Sequence, residues 1–181
     1  MRVSALERQE RERIEFNQSF EIVISRKSNI FFSSNLSHIY HKYILNNLQV
    51  FVYGTLKPGE CNYERYCAGK VVEEKRAIAF GELFSLPAGY PAMIPGNAKI
   101  HGFVLTFPDS TVLQKLDNLE GYDPSRPEAQ NEYNRHQIET YKPSGQPLAI
   151  AWAYLMSVDR VRRQKGILLT SGWWSRLKNN E

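Results

Sequence analysis

Gln49-Val50-Phe51-Val52-Tyr53-Gly54-Thr55-Leu56-Lys57-Pro58-Gly59 is the stretch from which the rest of the chain can be read. Its opening is a β-branched and aromatic run, which predicts a buried strand. Gly54 stops the run, and Lys57-Pro58-Gly59 is turn chemistry. A glycine at a strand end lets successive backbone N–H groups turn together into a concave donor surface that suits an anion such as a carboxylate. Thr55 can add a hydroxyl. The spacing is not that of a phosphate-binding P-loop. On residues alone, an ordinary strand-end turn stands beside the ligand-binding reading.

Outward from that strand, a helix is predicted around Asn62–Ala68, then strands at Ala77–Phe84 and Ile100–Phe107 separated by a Pro- and Gly-rich loop, Leu86–Asn97. Residues Asp109–Leu119 read as a helix. Asp109 or Ser110 can cap it, Val112, Leu113, Leu116 and Leu119 form an apolar stripe, and Gly121 ends it. Two further strands, Tyr133–Thr140 and Leu148–Leu155, flank the turn Lys142-Pro143-Ser144-Gly145, with His136, Ile138 and Thr140 expected on one buried face. Strands dominate and connections are short. The expected class is therefore α+β, with a mostly antiparallel sheet that can close on itself and short flanking helices.

The first 47 residues have a different character. Residues 1–16 alternate Arg and Glu, and residues 17–47 hold apolar residues with no lasting periodicity. We expect residues 1–47 to be an extension, flexible or loosely docked, and residues 48–181 to be the domain.

The 181 residues are 42% hydrophobic and 23% charged, which excludes an intrinsically disordered chain. The net charge is +4. The densest basic stretch, Arg160 to Lys165, contains no aromatic residue that could stack on a base, so no nucleic-acid partner is expected. The longest uncharged stretch, Leu83–Ala98, is broken by Pro87, Pro91 and Pro95, so no membrane span is expected either. The N-terminus lacks the apolar centre of a secretory signal, and the expectation is a cytoplasmic protein. Cys61 and Cys67 have no second pair to complete a zinc site and read as reduced thiols, while His38 and His41 read as surface or packing residues.

A second constellation is Leu116-Asp117-Asn118-Leu119-Glu120-Gly121-Tyr122-Asp123-Pro124. Glu120 falls at a helix C-terminus, where the macrodipole disfavours negative charge, and beside Leu119. Both influences push its carboxyl pKa upward, toward the range useful for proton transfer near neutrality. Residues alone balance that role against an exposed helix-end acid. The spacing of Asp117, Glu120 and Asp123 matches no calcium loop.

Taken together, Val52-Tyr53-Gly54-Thr55-Leu56-Lys57, Gly89-Tyr90-Pro91-Ala92, Leu116–Tyr122, Tyr133-Asn134-Arg135, Ala151-Trp152-Ala153-Tyr154 and Ser171-Gly172-Trp173 resemble the γ-glutamylcyclotransferase-like superfamily. The likeness covers about residues 48–175, and Lys57 inclines it toward the γ-glutamylamine cyclotransferase and avirulence-induced-gene branch. The resemblance implies a small barrel-like mixed sheet with a cavity at the end of the first strand. It implies that the amides of Gly54, Thr55 and Leu56 hold the α-carboxylate of a γ-glutamyl compound. Glu120 would shuttle the proton as the α-amine attacks the γ-carbonyl, giving 5-oxoproline and a free amine, in a transferase or lyase reaction that needs no metal or organic cofactor. Tyr53 would wall the pocket or donate through its hydroxyl, Tyr90 and Pro91 would line it, and Tyr133 and Tyr154 would frame the glutamyl group. Arg135 is expected to pair with Glu139 or Asp123, and Trp152, Trp173 and Trp174 to pack. The alternative is a non-catalytic small-molecule binding or interaction module on the same scaffold.

Overall fold

The computed structural model describes residues 47–176. The expected extension at 1–47, with His38 and His41, lies outside the described residues apart from Asn47. The order of elements is β1 (Leu48–Val52), α1 (Tyr63–Tyr66), β2 (Glu73–Ser85), β3 (Pro91–Phe107), α2 (Leu113–Leu119), a 3₁₀ turn (Glu128–Gln130), β4 (Asn134–Tyr141), β5 (Pro147–Leu155), α3 (Val158–Arg163) and β6 (Ile167–Leu168).

The strands run β3-β1-β5-β4-β2, and β2 pairs again with β3, so five strands close into a barrel-like sheet. The short β6 adds to β2 through Phe84↔Leu168. All pairings are antiparallel except β1 with β5, which meet in parallel at Val50↔Trp152.

Closure explains the composition of β1. Val50 and Val52 belong to a core cluster on one face, with Leu105, Phe107, Leu116 and Tyr154. Phe51 and Tyr53 belong to a second cluster on the other face, with Ala77, Ala79, Val104, Ala151 and Ala153. A strand buried on both faces has no polar side to show, hence the unbroken apolar run. Leu116 of α2 lies in the first cluster, which is therefore the outer face, and the alanines of β2 and β5 fill the narrow interior.

Four expectations are corrected. The segment Leu86–Asn97 is not one long loop: Leu86–Tyr90 makes a tight turn, closed by Leu86 N–H to the Tyr90 carbonyl (3.0 Å), and β3 already begins at Pro91. Register jumps from Gly81↔Ala98 to Glu82↔Ile94, so Pro95, Gly96 and Asn97 bulge out of the ladder. Pro91 opens the strand and Pro95 sits in the bulge, positions where a missing N–H costs little. The helix expected from Asp109 begins only at Leu113, because the Asp109 carboxylate caps a local turn at the Thr111 N–H (2.8 Å) instead. His136 is exposed rather than part of a buried face. Arg135 reaches neither Glu139 nor Asp123; it forks onto Asp117.

Candidate active site

β1 delivers its C-terminal end into a turn in which Lys57 N–H donates to the Gly54 carbonyl (3.1 Å). Asn62 braces the turn: its N–H donates to the Thr55 carbonyl (3.0 Å) and its Nδ2 to the Thr55 hydroxyl (3.1 Å). Among the described residues no acceptor takes the N–H groups of Gly54, Thr55 or Leu56. Three adjacent donors are thus available at one strand end. Gly54 is also a point of close approach, since a Cβ there would stand 2.6 Å from Pro91 Cγ.

Lys57 anchors the turn from behind. Its side chain is only 1% exposed, donates to the Trp174 carbonyl, and lies 3.7 Å from the Glu60 carboxylate. The ammonium stands 4.4 Å from the Trp173 ring centre and 5.4 Å from that of Trp174. Burial holds the Lys57 pKa below the usual lysine value, and the nearby Glu60 opposes that shift.

Helix α2 presents the acid. Glu120 is its C-cap residue, with its N–H bonded to the Leu116 carbonyl (2.9 Å). Gly121 follows with φ of +62°, and Tyr122 N–H returns to the Asp117 carbonyl (2.9 Å), closing the helix as a glycine-terminated cap. The carbonyls of Glu120 and Gly121 then accept from Tyr133 N–H (3.2 Å) and Glu132 N–H (3.3 Å), which ties the helix end to the segment entering β4.

These parts enclose one cavity of about 280 Å³. All eight residues singled out from the sequence line it: Tyr53, Gly54, Thr55, Leu56, Tyr90, Glu120, Tyr133 and Tyr154. Pro91, Asn62, Leu119 and Glu132 line it as well. The Glu120 carboxyl has no hydrogen-bond donor among the described residues. Burial, followed by the charge of Glu132, pushes its pKa up to about 8. Near neutrality it is mostly protonated, with an ionised fraction large enough to serve as a base.

The four tyrosines surround Glu120 as neutral walls with committed protons. Tyr53 donates to the Tyr154 carbonyl (2.5 Å) and accepts from Met93 N–H (3.3 Å). Tyr133 donates to the Pro91 carbonyl (2.7 Å), Tyr154 to Asp117 Oδ1 (2.7 Å), and Tyr90 to Glu132 Oε1 (2.7 Å). Burial is the leading cause that raises all four phenol pKa values, that of Tyr90 to about 12.

Two acids were not placed here by the sequence. Asp117 appeared there only beside Glu120 and Asp123, yet it turns to Arg135 Nη1 (3.0 and 2.8 Å to its two oxygens) and so holds Tyr154 in the wall. Arg135 lies between the rings of Tyr122 (5.2 Å) and Trp152 (4.9 Å). Glu132 carried no motif; its only sequence signal is its place directly before Tyr133. Asp123 accepts instead from Ser125 N–H (2.9 Å) and the Ser125 hydroxyl (2.6 Å). Cys61 and Cys67 are free thiols, one exposed and one buried. Among the described residues no group of three or more His, Cys, Asp or Glu is placed to hold a metal ion, and no helix is long and apolar enough to cross a membrane.

Comparison with known proteins gives the same reading of the fold. An AIG2-like protein from Mus musculus superposes with a TM-score of 0.56 at 19% identity, over 72% of this chain and 89% of the mouse chain. YkqA from Bacillus subtilis superposes with a TM-score of 0.50 at 23% identity; this chain spans only 39% of that longer protein. A putative γ-glutamylcyclotransferase from Vibrio cholerae is 30% identical over 128 residues, 71% of this chain and 96% of the relative. The family model described as gamma-glutamyl cyclotransferase, AIG2-like, matches residues 50–176. With the donor turn, the helix-end acid and the tyrosine wall all inside that span, the chain belongs to the AIG2-like γ-glutamylcyclotransferase family.

Proposed function

We propose that the protein cyclises a γ-glutamyl amine or γ-glutamyl amino acid to 5-oxoproline, releasing the free amine. The observation that carries this reading is that three backbone donors and one carboxyl, all without partners among the described residues, belong to residues lining a single cavity. Its volume falls just below the range of typical ligand pockets, about 300 to 1,000 Å³, so it suits an amino-acid-sized head group with the leaving amine toward the mouth.

The substrate's α-carboxylate accepts from the amides of Gly54, Thr55 and Leu56, with the Thr55 hydroxyl free to donate. Glu120 takes one proton from the α-ammonium. The freed nitrogen attacks the γ-carbonyl carbon, a C–N bond forms, and the five-membered ring closes. Protonated Glu120 gives that proton to the departing nitrogen as the original amide C–N bond breaks, and the second proton that the attack leaves on the ring nitrogen passes by the same carboxylate to the released amine, which departs as an ammonium. Proton count and charge are restored at the end of the cycle.

Energetically the reaction asks for little beyond placement. Nucleophile and electrophile belong to one molecule, and fixing them in attack geometry can supply roughly 7–11 kcal/mol of barrier reduction. A positioned acid–base adds about 10²–10⁴-fold, and does so best when its pKa matches its partner's. An α-ammonium beside its own free carboxylate is more basic than a polypeptide N-terminus, whose pKa is roughly 8, so raising the Glu120 carboxyl to about 8 narrows the gap to its partner.

The test is a panel of γ-glutamyl amines and amino acids assayed for 5-oxoproline, with the Glu120→Gln variant beside the native protein. Release by the native protein and its loss in the variant is the expected result. Binding of γ-glutamyl compounds without 5-oxoproline from either protein would refute the enzyme and leave a binding module.

A further inference from the structure

Among the described residues that line the cavity, two are carboxylates and none is Lys, Arg or His. The proposed mechanism uses only Glu120. Glu132 is fixed at the same wall by two independent ties: its N–H donates to the Gly121 carbonyl (3.3 Å), and its Oε1 accepts from the Tyr90 hydroxyl (2.7 Å). The approach is close enough to need a glycine, because a Cβ on Gly121 would stand 3.0 Å from Glu132 Cβ. Its second oxygen, Oε2, has no donor among the described residues, and neither has the carboxyl of Glu120. Two half-buried acids on the wall of one cavity, with no cation beside them among the described residues, form a site completed by a positive charge from the guest.

Resting on the cyclotransferase reading, the geometry points to Glu132, held by Tyr90, as the partner of Glu120 in one seat for the substrate's α-ammonium, selecting against compounds that lack it. Glu132 binds the cation, while Glu120 exchanges the proton. The arrangement has a second consequence. A fixed negative charge beside Glu120 favours its protonated form at the moment the ammonium gives up its proton. Other groups facing Glu120 are Tyr53 at the end of β1, Tyr90 in the β2–β3 turn, Tyr133 before β4 and Tyr154 in β5. Behind them stand Asp117 and Arg135, through Tyr154, and Arg160 of α3, near Tyr90. Among the described residues on the cavity wall, Glu132 is the one carboxylate besides Glu120.

The experiment is calorimetric binding of L-glutamine and of glutaramate, the same skeleton without its ammonium, to the full chain and to its Glu132→Gln and Glu132→Asp variants. Native protein should prefer L-glutamine by about tenfold or more, and Glu132→Gln should lose about tenfold toward L-glutamine with no loss toward glutaramate, a tenfold step being about 1.4 kcal/mol. The rising limb of kcat/KM against pH should move to lower pH in Glu132→Gln and move less in Glu132→Asp, which keeps the charge. Equal losses for both ligands, unchanged affinities, or native protein that does not discriminate would overturn the seat. If 5-oxoproline is still released in any of those cases, the cyclotransferase reading survives; if native protein releases none, that reading falls too.

Discussion

Replacing Glu120 by Gln should stabilise the folded protein, increasingly so as pH rises, while removing its proposed activity. In the native state the carboxyl holds its proton up to about pH 8; its ordinary value is 4.5. Between these values the native state binds more protons than the unfolded chain, so stability declines as pH rises. The Glu120 contribution is complete below about pH 4.5 and is progressively lost up to about pH 8. Glutamine has no such dependence. With those two pKa values the difference between the proteins is ~1 kcal/mol at pH 5 and ~3 kcal/mol at pH 7. Water entering the cavity mouth screens part of this, and we expect a gain of about 2 kcal/mol at pH 7. Urea unfolding of both proteins at pH 5, 6, 7 and 8, with equal m values, reads the difference directly. A difference that stays flat or shrinks from pH 5 to 8, or a variant less stable than native at pH 7, would refute the claim that Glu120 is held in a desolvated site at a cost to the fold. The outcome expected here is a protein made firmer and less useful by one substitution.

Gly54→Ala should lower kcat/KM by at least about tenfold, because the added Cβ meets the rigid ring of Pro91 and displaces the donor turn; 5-oxoproline release measures it, and activity within twofold of native would remove Gly54 from the site. Lys57→Met leaves the Trp174 carbonyl and the Glu60 carboxylate without their buried partner, so thermal unfolding should show a loss of about 1–3 kcal/mol; an unchanged melting temperature would mean the anchor contributes nothing. Deleting residues 1–47 should leave a folded, active domain, since β1 begins at Leu48; soluble expression with circular dichroism and 5-oxoproline release checks this, and an insoluble product would place the extension in the core.

The parts of the fold that were legible are those governed by neighbours in sequence. Val50 to Tyr53 announce a strand, Gly121 a helix end and Lys142–Gly145 a turn, because each depends on backbone sterics or on the burial of consecutive residues. The errors were of another kind. Pro91 and Pro95 spoke against a strand, and β3 holds both because its pairing with β2 needs no donor at either place. Asp109 was expected to cap α2 and caps a turn at Thr111 instead.

The candidate site divides the same way. Its eight named residues were picked out through the family resemblance, while the residues alone determined only that a glycine-ended strand and a helix-end acid exist. That they share one cavity, that Arg135 belongs to Asp117 and not to Glu139 or Asp123, and that Glu132 stands beside Glu120 were decided by closure of the sheet. Closure brings β1 next to β5, a hundred residues away in the chain, and pins the end of α2 to the start of β4. The pKa of a carboxyl depends on which charges and how much water lie within a few ångströms. Chain order limits those distances only between near neighbours, and packing sets the rest.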